Sequence, residues 1–384
     1  MNILVIGAGM MGTSVTYDLA RSKDVDKITL IDCDKKKLKK VKKFLNNKKL
    51  SVREADVSDV SNVVQIMQRH DVAISCVTYK FNYQLAQAAI QAKVNFCDLG
   101  GNIDIVDKEF ALNKQAEKAG ITIIPDCGLA PGIVNMLTAY AVDYFDATDE
   151  VNLRVGGIPQ NPEPPLNYRL SWSAAGLINE YKEPVRILQN YEEKTVKPLQ
   201  GLETLIIPNP SGFRFMEAFN TSGGISTLTR TFAGKIKNLT YKTLRYPGHS
   251  KIIKLLFDLG LADEKPIAGN NTVTPREILE KVLAKKFGGN FKDIVVILAT
   301  ALGMKNGARE QMEMSGIYYH DDETGLSAMM RTTGFSISTI AQMLGAGKIA
   351  KKGVAEQELY VPVHEYIQEM AKKDIEIKIK KWKC

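Results

Sequence analysis

The stretch "MNILVIGAGMMGTSVTYDLARS", Met1 to Ser22, decides the fold. A short apolar run enters a glycine loop and leaves it in a helical pattern. In that setting Gly7, Gly9 and Gly12 form a meaningful GxGxxG. The first glycine permits the tight turn and the second lets a pyrophosphate approach the backbone. The third lets the helix pack closely on the strand, and the helix N-terminus adds donors and positive potential. Gly7, Ala8, Gly9, Met10, Met11 and Gly12 are therefore expected to cradle a dinucleotide. The next strand, "KITLID", ends in Asp32, where a carboxylate accepts hydrogen bonds from an adenosine ribose and repels a 2′-phosphate. That favours NAD over NADP, with Lys35 and Lys36 close behind to soften the preference. A helix cap is the other reading of Asp32.

The alternation continues through "DVAISCV", "NYQLAQAAIQAK", "VNFCDLGG" and "ITIIPDCG". Strands alternating with helices predict a doubly wound parallel sheet, a Rossmann fold of α/β class. Asp56 and Val57 are placed to flank an adenine. Cys76, Val77 and Thr78, then Leu99 and Gly100, fall at strand ends near the nicotinamide half. Their alternative is plain core and turn, and a free cysteine such as Cys76 or Cys97 is usually a small buried hydrophobe. After Gly132 the rhythm changes. "IVNMLTAYAVDYFD" reads as a helix, followed by β-rich pieces including "VNLRVGGI", "NYRLSWS", "TLIIP", "FRFMEAF" and "YKTLRY". These predict an α+β domain with a mixed sheet over residues 131–325, following a nucleotide-binding domain over 1–130. From about Gly325 the chain turns helical, giving a third segment over 326–384.

The chain has 384 residues, 45% hydrophobic and 24% charged, an ordinary globular composition. Its net charge of +8 owes much to "DKKKLKKVKKFLNNKK". There Leu38, Val41, Phe44 and Leu45 recur at helical spacing, so the lysines read as the wet face of an amphipathic helix rather than a nucleic-acid site. The five cysteines show no CxxC pair, which argues against a disulfide scaffold or zinc and for a reducing cytoplasm. A strand beginning at Asn2 leaves no room for a signal peptide, and no apolar run is long enough to span a bilayer.

"TIIPDCGLAPG", Thr122 to Gly132, sets Asp126 and Cys127 on the lip between a buried strand and a Gly/Pro turn. The stretch is either a simple chain reversal or a catalytic lip, because ligands collect at the carboxyl ends of parallel strands. It is expected to lie where the nucleotide fold hands the chain to the second domain, with Asp126 and Cys127 as catalytic candidates. A carboxylate there takes a proton or holds an ammonium, or it caps a turn. "TLRYPGH" puts Arg245 and His249 beside a Pro-Gly turn, and a guanidinium fork suits a substrate carboxylate. A strand salt bridge is the other reading of Arg245. Glu180 in "GLINEY" and the loop "EAFNTSGGIST" are further candidates. No nucleophile elbow or metal-ligand spacing appears.

Together, the glycine-loop fold, "PDCGLAPG", "RVGGIPQNPEPPLNYRLSWSAAGLINEY", "EAFNTSGG", "YKTLRYPGH" and "GVAEQELYVP" resemble the saccharopine dehydrogenase-like superfamily over nearly the whole chain. Within it, the "GGIPQ…PPLNY…GLINEY" block is similar to lysine 6-dehydrogenases rather than saccharopine reductases. The resemblance implies NAD-dependent oxidative deamination of the L-lysine ε-amine, releasing ammonia and NADH, with an aldehyde product that cyclises. It implies that Arg245 contacts substrate carboxylate; Asp98, His249, Tyr168 and Thr221 are the further candidates for substrate contacts. Saccharopine reductases usually have Gly-Leu-Asp-Pro-Gly at the turn, where Ala130 stands here. The resemblance further implies a homodimer built on the second domain, with the last helices returning to the first. The competing expectations are a saccharopine reductase or other amino-acid or polyamine dehydrogenase of the superfamily, and a non-catalytic NAD-binding regulator.

Overall fold

A computed structural model describes residues 1–209, 212–267 and 272–384, and the chain divides into two compact units. The first comprises Met1–Tyr144, Ser226–Thr231 and Met330–Ile377. Among its described residues, seven parallel strands form one sheet. Six come from the N-terminal stretch: β1 (Asn2–Ile6), β2 (Lys27–Asp32), β3 (Leu50–Glu54), β4 (Val72–Ser75), β5 (Asn95–Asp98) and β6 (Thr122–Ile124). Their order is β6-β5-β4-β1-β2-β3, with Gly353–Val354 added in parallel beside β6. The reversal of direction between β1 and β4 is the switch point at which open α/β sheets bind ligands.

Ile3 to Ile6 and Val72 to Ile74 are fully buried, as expected of strands covered by helices on both faces. The lysine-rich helix Lys35–Leu45 is capped by Asp34, whose side chain accepts from the N–H groups of Lys36 and Lys37. Leu38 and Val41 face inward there, while Phe44 remains exposed.

The "GLAPG" turn does not carry the chain out of this unit. Gly132 (φ +133) lies so close to Gly128 that an added Cβ would fall 1.8 Å from the Gly128 carbonyl oxygen. The Gly128 carbonyl accepts from Ile133 N–H, opening the helix Ile133–Tyr144, and the chain leaves the unit only after Tyr144. Residues 226–231 also belong to this unit, an excursion that no pattern in the sequence announces.

The second unit comprises Phe145–Ile225, Phe232–Met329 and Lys378–Cys384. Its strands are β7 (Ala147–Pro159), β8 (Val185–Gln189), β9 (Glu192–Val196), β10 (Glu203–Asn209), β11 (Gly212–Asn220), β12 (Ile236–Arg245), β13 (Asp293–Lys305), β14 (Ala308–Tyr319) and the terminal Lys378–Lys383. They run β10-β11-β12-β7-β13-β14-terminal, with β8 and β9 branching from β12. The β12–β7 pair is parallel and the others antiparallel, so the sheet is mixed. Helices Ala174–Lys182, His249–Asp258 and Pro275–Phe287 contribute Leu177, Tyr181, Ile253, Leu279 and Leu283 to one apolar cluster with Tyr168 and Phe219. "NYRLSWS" is irregular rather than a strand.

Candidate functional site

The glycine loop has the stereochemistry its motif requires. Gly7 has φ +105, and a Cβ there would fall 2.9 Å from the Cys76 carbonyl oxygen. A Cβ on Gly12 would fall 1.7 Å from the Gly7 carbonyl oxygen, so only glycine lets helix Met10–Arg21 pack against the turn. Around Gly9 the space is open, with no protein atom within 4 Å of an added Cβ. Nothing in the fold itself forbids a side chain at Gly9, whereas a pyrophosphate lying on the backbone would. The residues present therefore fit a dinucleotide. Ala8 N–H donates to Asp32 Oδ2 and Asp34 N–H to Oδ1, each at 2.7 Å. These contacts fix the carboxylate at the end of β2 while leaving it lone pairs for ribose hydroxyls.

The other expected cofactor contacts lie in the same unit. Met10 is exposed at the start of the helix, and Met11 is half-buried. Asp56 accepts from Ser58 N–H and O–H, and Val57 packs against the core. Cys76 and Val77 are half-buried, as are Leu99 and Gly100, and Thr78 is exposed. Burial, then the charge of Asp98, pushes the Cys76 thiol well up, so it behaves as a neutral packing group.

Beyond the strand ends lies a cluster of buried carboxyls. Asp126 (φ +65) is buried, and its Oδ2 accepts from the Ser226 hydroxyl. Its Oδ1 has no hydrogen-bond partner among the described residues. Gly100 makes room for that oxygen, since a Cβ there would sit 1.4 Å from it. Burial, then the neighbouring Asp98 charge, pushes the Asp126 carboxyl up to about 8. Asp98 ends β5, and its Oδ1 accepts from Asn82 Nδ2 at 3.0 Å, Gly100 N at 2.6 Å and Asp126 N at 3.4 Å. Those bonds, one of them to the Asp126 N–H, make Asp98 a support behind Asp126, with Oδ2 left unpartnered among the described residues. Glu109, from the helix Ile103–Ala111, completes the cluster fully buried.

Cys127 does not suit catalysis. Its thiol is fully buried and donates to the Ile124 carbonyl at 3.2 Å. Burial, then the surrounding thiol and carboxyl groups, pushes it well above the usual thiol range. Gln357 Nε2 holds the Asp126 carbonyl at 2.7 Å, and Glu358 gathers Thr227, Thr231 and Asn135. These tail residues anchor the loop around Asp126.

In the second unit, Arg245 ends β12. Its Nε donates to Tyr181 Oη at 2.9 Å and its NH1 to the Leu244 carbonyl at 2.9 Å, while NH2 lies 3.5 Å from Glu180. The Tyr168 ring lies under the guanidinium at 4.8 Å. His249 Nδ1 meets the Leu166 carbonyl at 3.1 Å, so it must donate there, and Nε2 accepts from Tyr181 Oη at 3.0 Å. Burial, then Arg245, pushes His249 down to about 3, so the ring is neutral. With both nitrogens engaged, His249 is a prop that orients Tyr181 and through it Arg245, not a substrate contact. Tyr168 is likewise buried, and its hydroxyl receives the Trp172 indole N–H at 3.2 Å. Thr221 is buried in a chain in which its hydroxyl meets Thr243 at 2.7 Å and Thr243 donates to Glu180.

Sequence reading did not single out Glu109, and it marked the segments holding Ser226, Gln357 and Glu358 without assigning those residues to Asp126. Glu109 carried a signal too, falling three residues after Val106 and three before Leu112, both buried on the helical face.

Two family models match the chain. One is the saccharopine dehydrogenase NADP binding domain over residues 3–124, and the other is the saccharopine dehydrogenase C-terminal domain over 128–375. The chain belongs to the saccharopine dehydrogenase family. The mitochondrial alpha-aminoadipic semialdehyde synthase of Mus musculus is 24% identical over 95% of the chain, and the chain spans 46% of that protein's length. The saccharopine dehydrogenase [NADP(+), L-glutamate-forming] of Saccharomyces cerevisiae is 25% identical, covering 82% of this chain and 70% of its own. The solved apo structure of the saccharopine dehydrogenase (L-Glu forming) from that yeast superposes with a TM-score of 0.78, 19% identity and 99% coverage of both chains. That likeness establishes the shared fold, a parallel-sheet Rossmann domain with a mixed-sheet second domain.

Proposed function

We propose that this member of the saccharopine dehydrogenase family is an NAD-dependent L-lysine 6-dehydrogenase. The observation that carries the proposal is Asp126, a buried carboxyl with one unpartnered oxygen and an affinity for protons matched to mildly alkaline pH. Oxidising an amine at carbon requires its neutral form, and Asp126 supplies the base that takes the ε-ammonium proton. Bound on Gly7, Gly9, Gly12 and Asp32, a nicotinamide dinucleotide supplies the hydride acceptor. Asp126 then holds the abstracted proton and returns it as water adds and the C–N bond breaks, so that ammonia departs and an aldehyde remains. The aldehyde closes on its own α-amine with loss of water. In the second unit the Arg245 guanidinium, held by Tyr181 and stacked on Tyr168, has the chemistry to bind a carboxylate.

Asp32 supports NAD over NADP, because its fixed carboxylate repels a 2′-phosphate. The NADP named by the matching family model and yeast relative favours a second reading, a saccharopine dehydrogenase. Purified protein is incubated with L-lysine and either NAD or NADP at alkaline pH, with NADH absorbance and a cyclic-imine adduct as readouts. The proposal expects both signals, with kcat/KM higher for NAD. Turnover of saccharopine but not lysine, with NADP preferred, contradicts it.

A further inference from the structure

Three carboxyl groups, Asp98, Glu109 and Asp126, lie together in the first unit, each buried. No lysine, arginine or histidine is hydrogen-bonded to any of them among the described residues. Asp98 Oδ1 accepts from Asn82, Gly100 and Asp126 N–H groups, whereas Asp98 Oδ2 and both Glu109 oxygens have no hydrogen-bond partner among the described residues. The Asp98 and Glu109 carboxyls act directly on each other, and two ionised carboxylates, both acceptors only, have no hydrogen with which to satisfy these unpartnered oxygens. Two bare buried charges in contact would also be strongly unfavourable. One proton between them removes both problems.

We propose that Asp98 and Glu109 hold a single proton between them, and that this pair, fixed at one negative charge, positions Asp126 as the carboxyl that exchanges protons with the substrate amine. The proton resides on Glu109, which accepts no N–H donor, and is donated to Asp98 Oδ2. Asp98 carries the charge, because three N–H groups already point at it. It also grips the Asp126 backbone N–H and the N–H of Gly100, the residue that makes room for Asp126 Oδ1. Burial, then the Asp98 charge, keeps Glu109 well above the usual carboxyl range, so it stays neutral while Asp126 titrates. The other ionisable groups acting on the cluster are the neutral thiols of Cys76, Cys97 and Cys127, together with Glu358 and Asp107, both of which raise Asp126. Asp107 is itself paired with Arg230 at 3.3 Å.

The pair stands on its own geometry, whereas its link to the substrate amine rests on the lysine dehydrogenase reading; two measurements separate them. The first is infrared absorption of the protonated-carboxyl C=O stretch, recorded above the titration of Asp126 with and without ¹³C-labelled glutamate. The wild-type protein should show a glutamate-derived band. Glu109→Gln should lose it, and so should Asp98→Asn, whose amide donates to an ionised Glu109. A missing band in the wild type, or an unchanged band in Glu109→Gln, overturns the pair whatever the enzyme oxidises. The second is the acid limb of kcat/KM against pH with L-lysine. Each single variant retains one charge and keeps the limb within a few tenths of a unit, while Asp98→Asn/Glu109→Gln moves it to lower pH by about one unit. A limb unmoved in the double variant, with the infrared band behaving as expected, leaves the shared proton standing and overturns its role toward Asp126. Should the double variant not fold, a limb displaced by a full unit in either single variant overturns that role equally.

Discussion

At Asp126 the burial that raises the carboxyl's proton affinity also makes folding depend on pH. An unfolded aspartate titrates near 3.8 and the folded one at about 8, so the fold prefers the neutral form. The stabilising contribution of that form is complete below the unfolded value and is lost as pH rises through the folded one. Asp126→Asn removes the ionisation while keeping the shape. Its stability relative to wild type should therefore rise between about pH 5 and pH 8.5, by on the order of a few kcal/mol in urea melts. A pH-independent difference would show that the carboxyl is not held neutral. At Arg245, Arg245→Ala should raise the KM for lysine with a much smaller change in kcat; an unchanged kcat/KM removes it from carboxylate binding. Asp126 and Arg245 stand out in the sequence as candidates because each lies beside a Gly/Pro turn near a strand end. Adjacency in the chain does not reveal where the His249 ring points, and the candidate loop holding Ser226 does not reveal its pairing with Asp126, 100 residues away.

At the scale of elements, the turn after β5 and the mixed sheet make separate demands. Gly100→Ala pushes a methyl into Asp126 Oδ1 and strains a φ of +65. It should lower kcat/KM by about a hundredfold through misplacement of Asp126 while leaving far-UV circular dichroism unchanged. Wild-type activity in this variant would separate Asp126 from the reaction. On β10 and β11, Ile206 and Phe215 are directly paired and 59% and 61% exposed. We propose this face as part of a homodimer contact, so Phe215→Glu should shift the mass in light scattering from dimer to monomer. A monomeric wild type rules the contact out.

The parallel strands were legible because they are buried on both faces and bounded by turns. The β13–β14 hairpin carried an Asn306-Gly307 turn with both φ positive, a signal available in the sequence. β9 and Lys378–Lys383 escaped because their charged, exposed residues have no apolar face to betray a strand. "NYRLSWS" alternates like a strand, but Asn167 has φ +49 and the preceding prolines remove N–H donors, so no ladder forms.

For the whole molecule, fold class followed from one glycine loop and the alternation behind it, whereas the course of the chain between units did not. The first unit extends to Tyr144, recovers residues 226–231, and takes a seventh strand from Gly353–Val354. Such returns depend on contacts between distant segments, which local periodicity does not record. They matter because Ser226, Gln357 and Glu358, which hold Asp126 and its loop, all arrive this way. The surroundings of Asp126 therefore depend on pieces of chain far from it in the sequence. The most direct test is NAD reduction by L-lysine followed across pH in wild type and Asp126→Asn. The account predicts a kcat/KM that rises with pH through a limb at about 8, well below the substrate amine's own titration near ~10.4, and loss of that limb in Asp126→Asn. No NADH from lysine at any pH, or the same limb in both proteins, would contradict it.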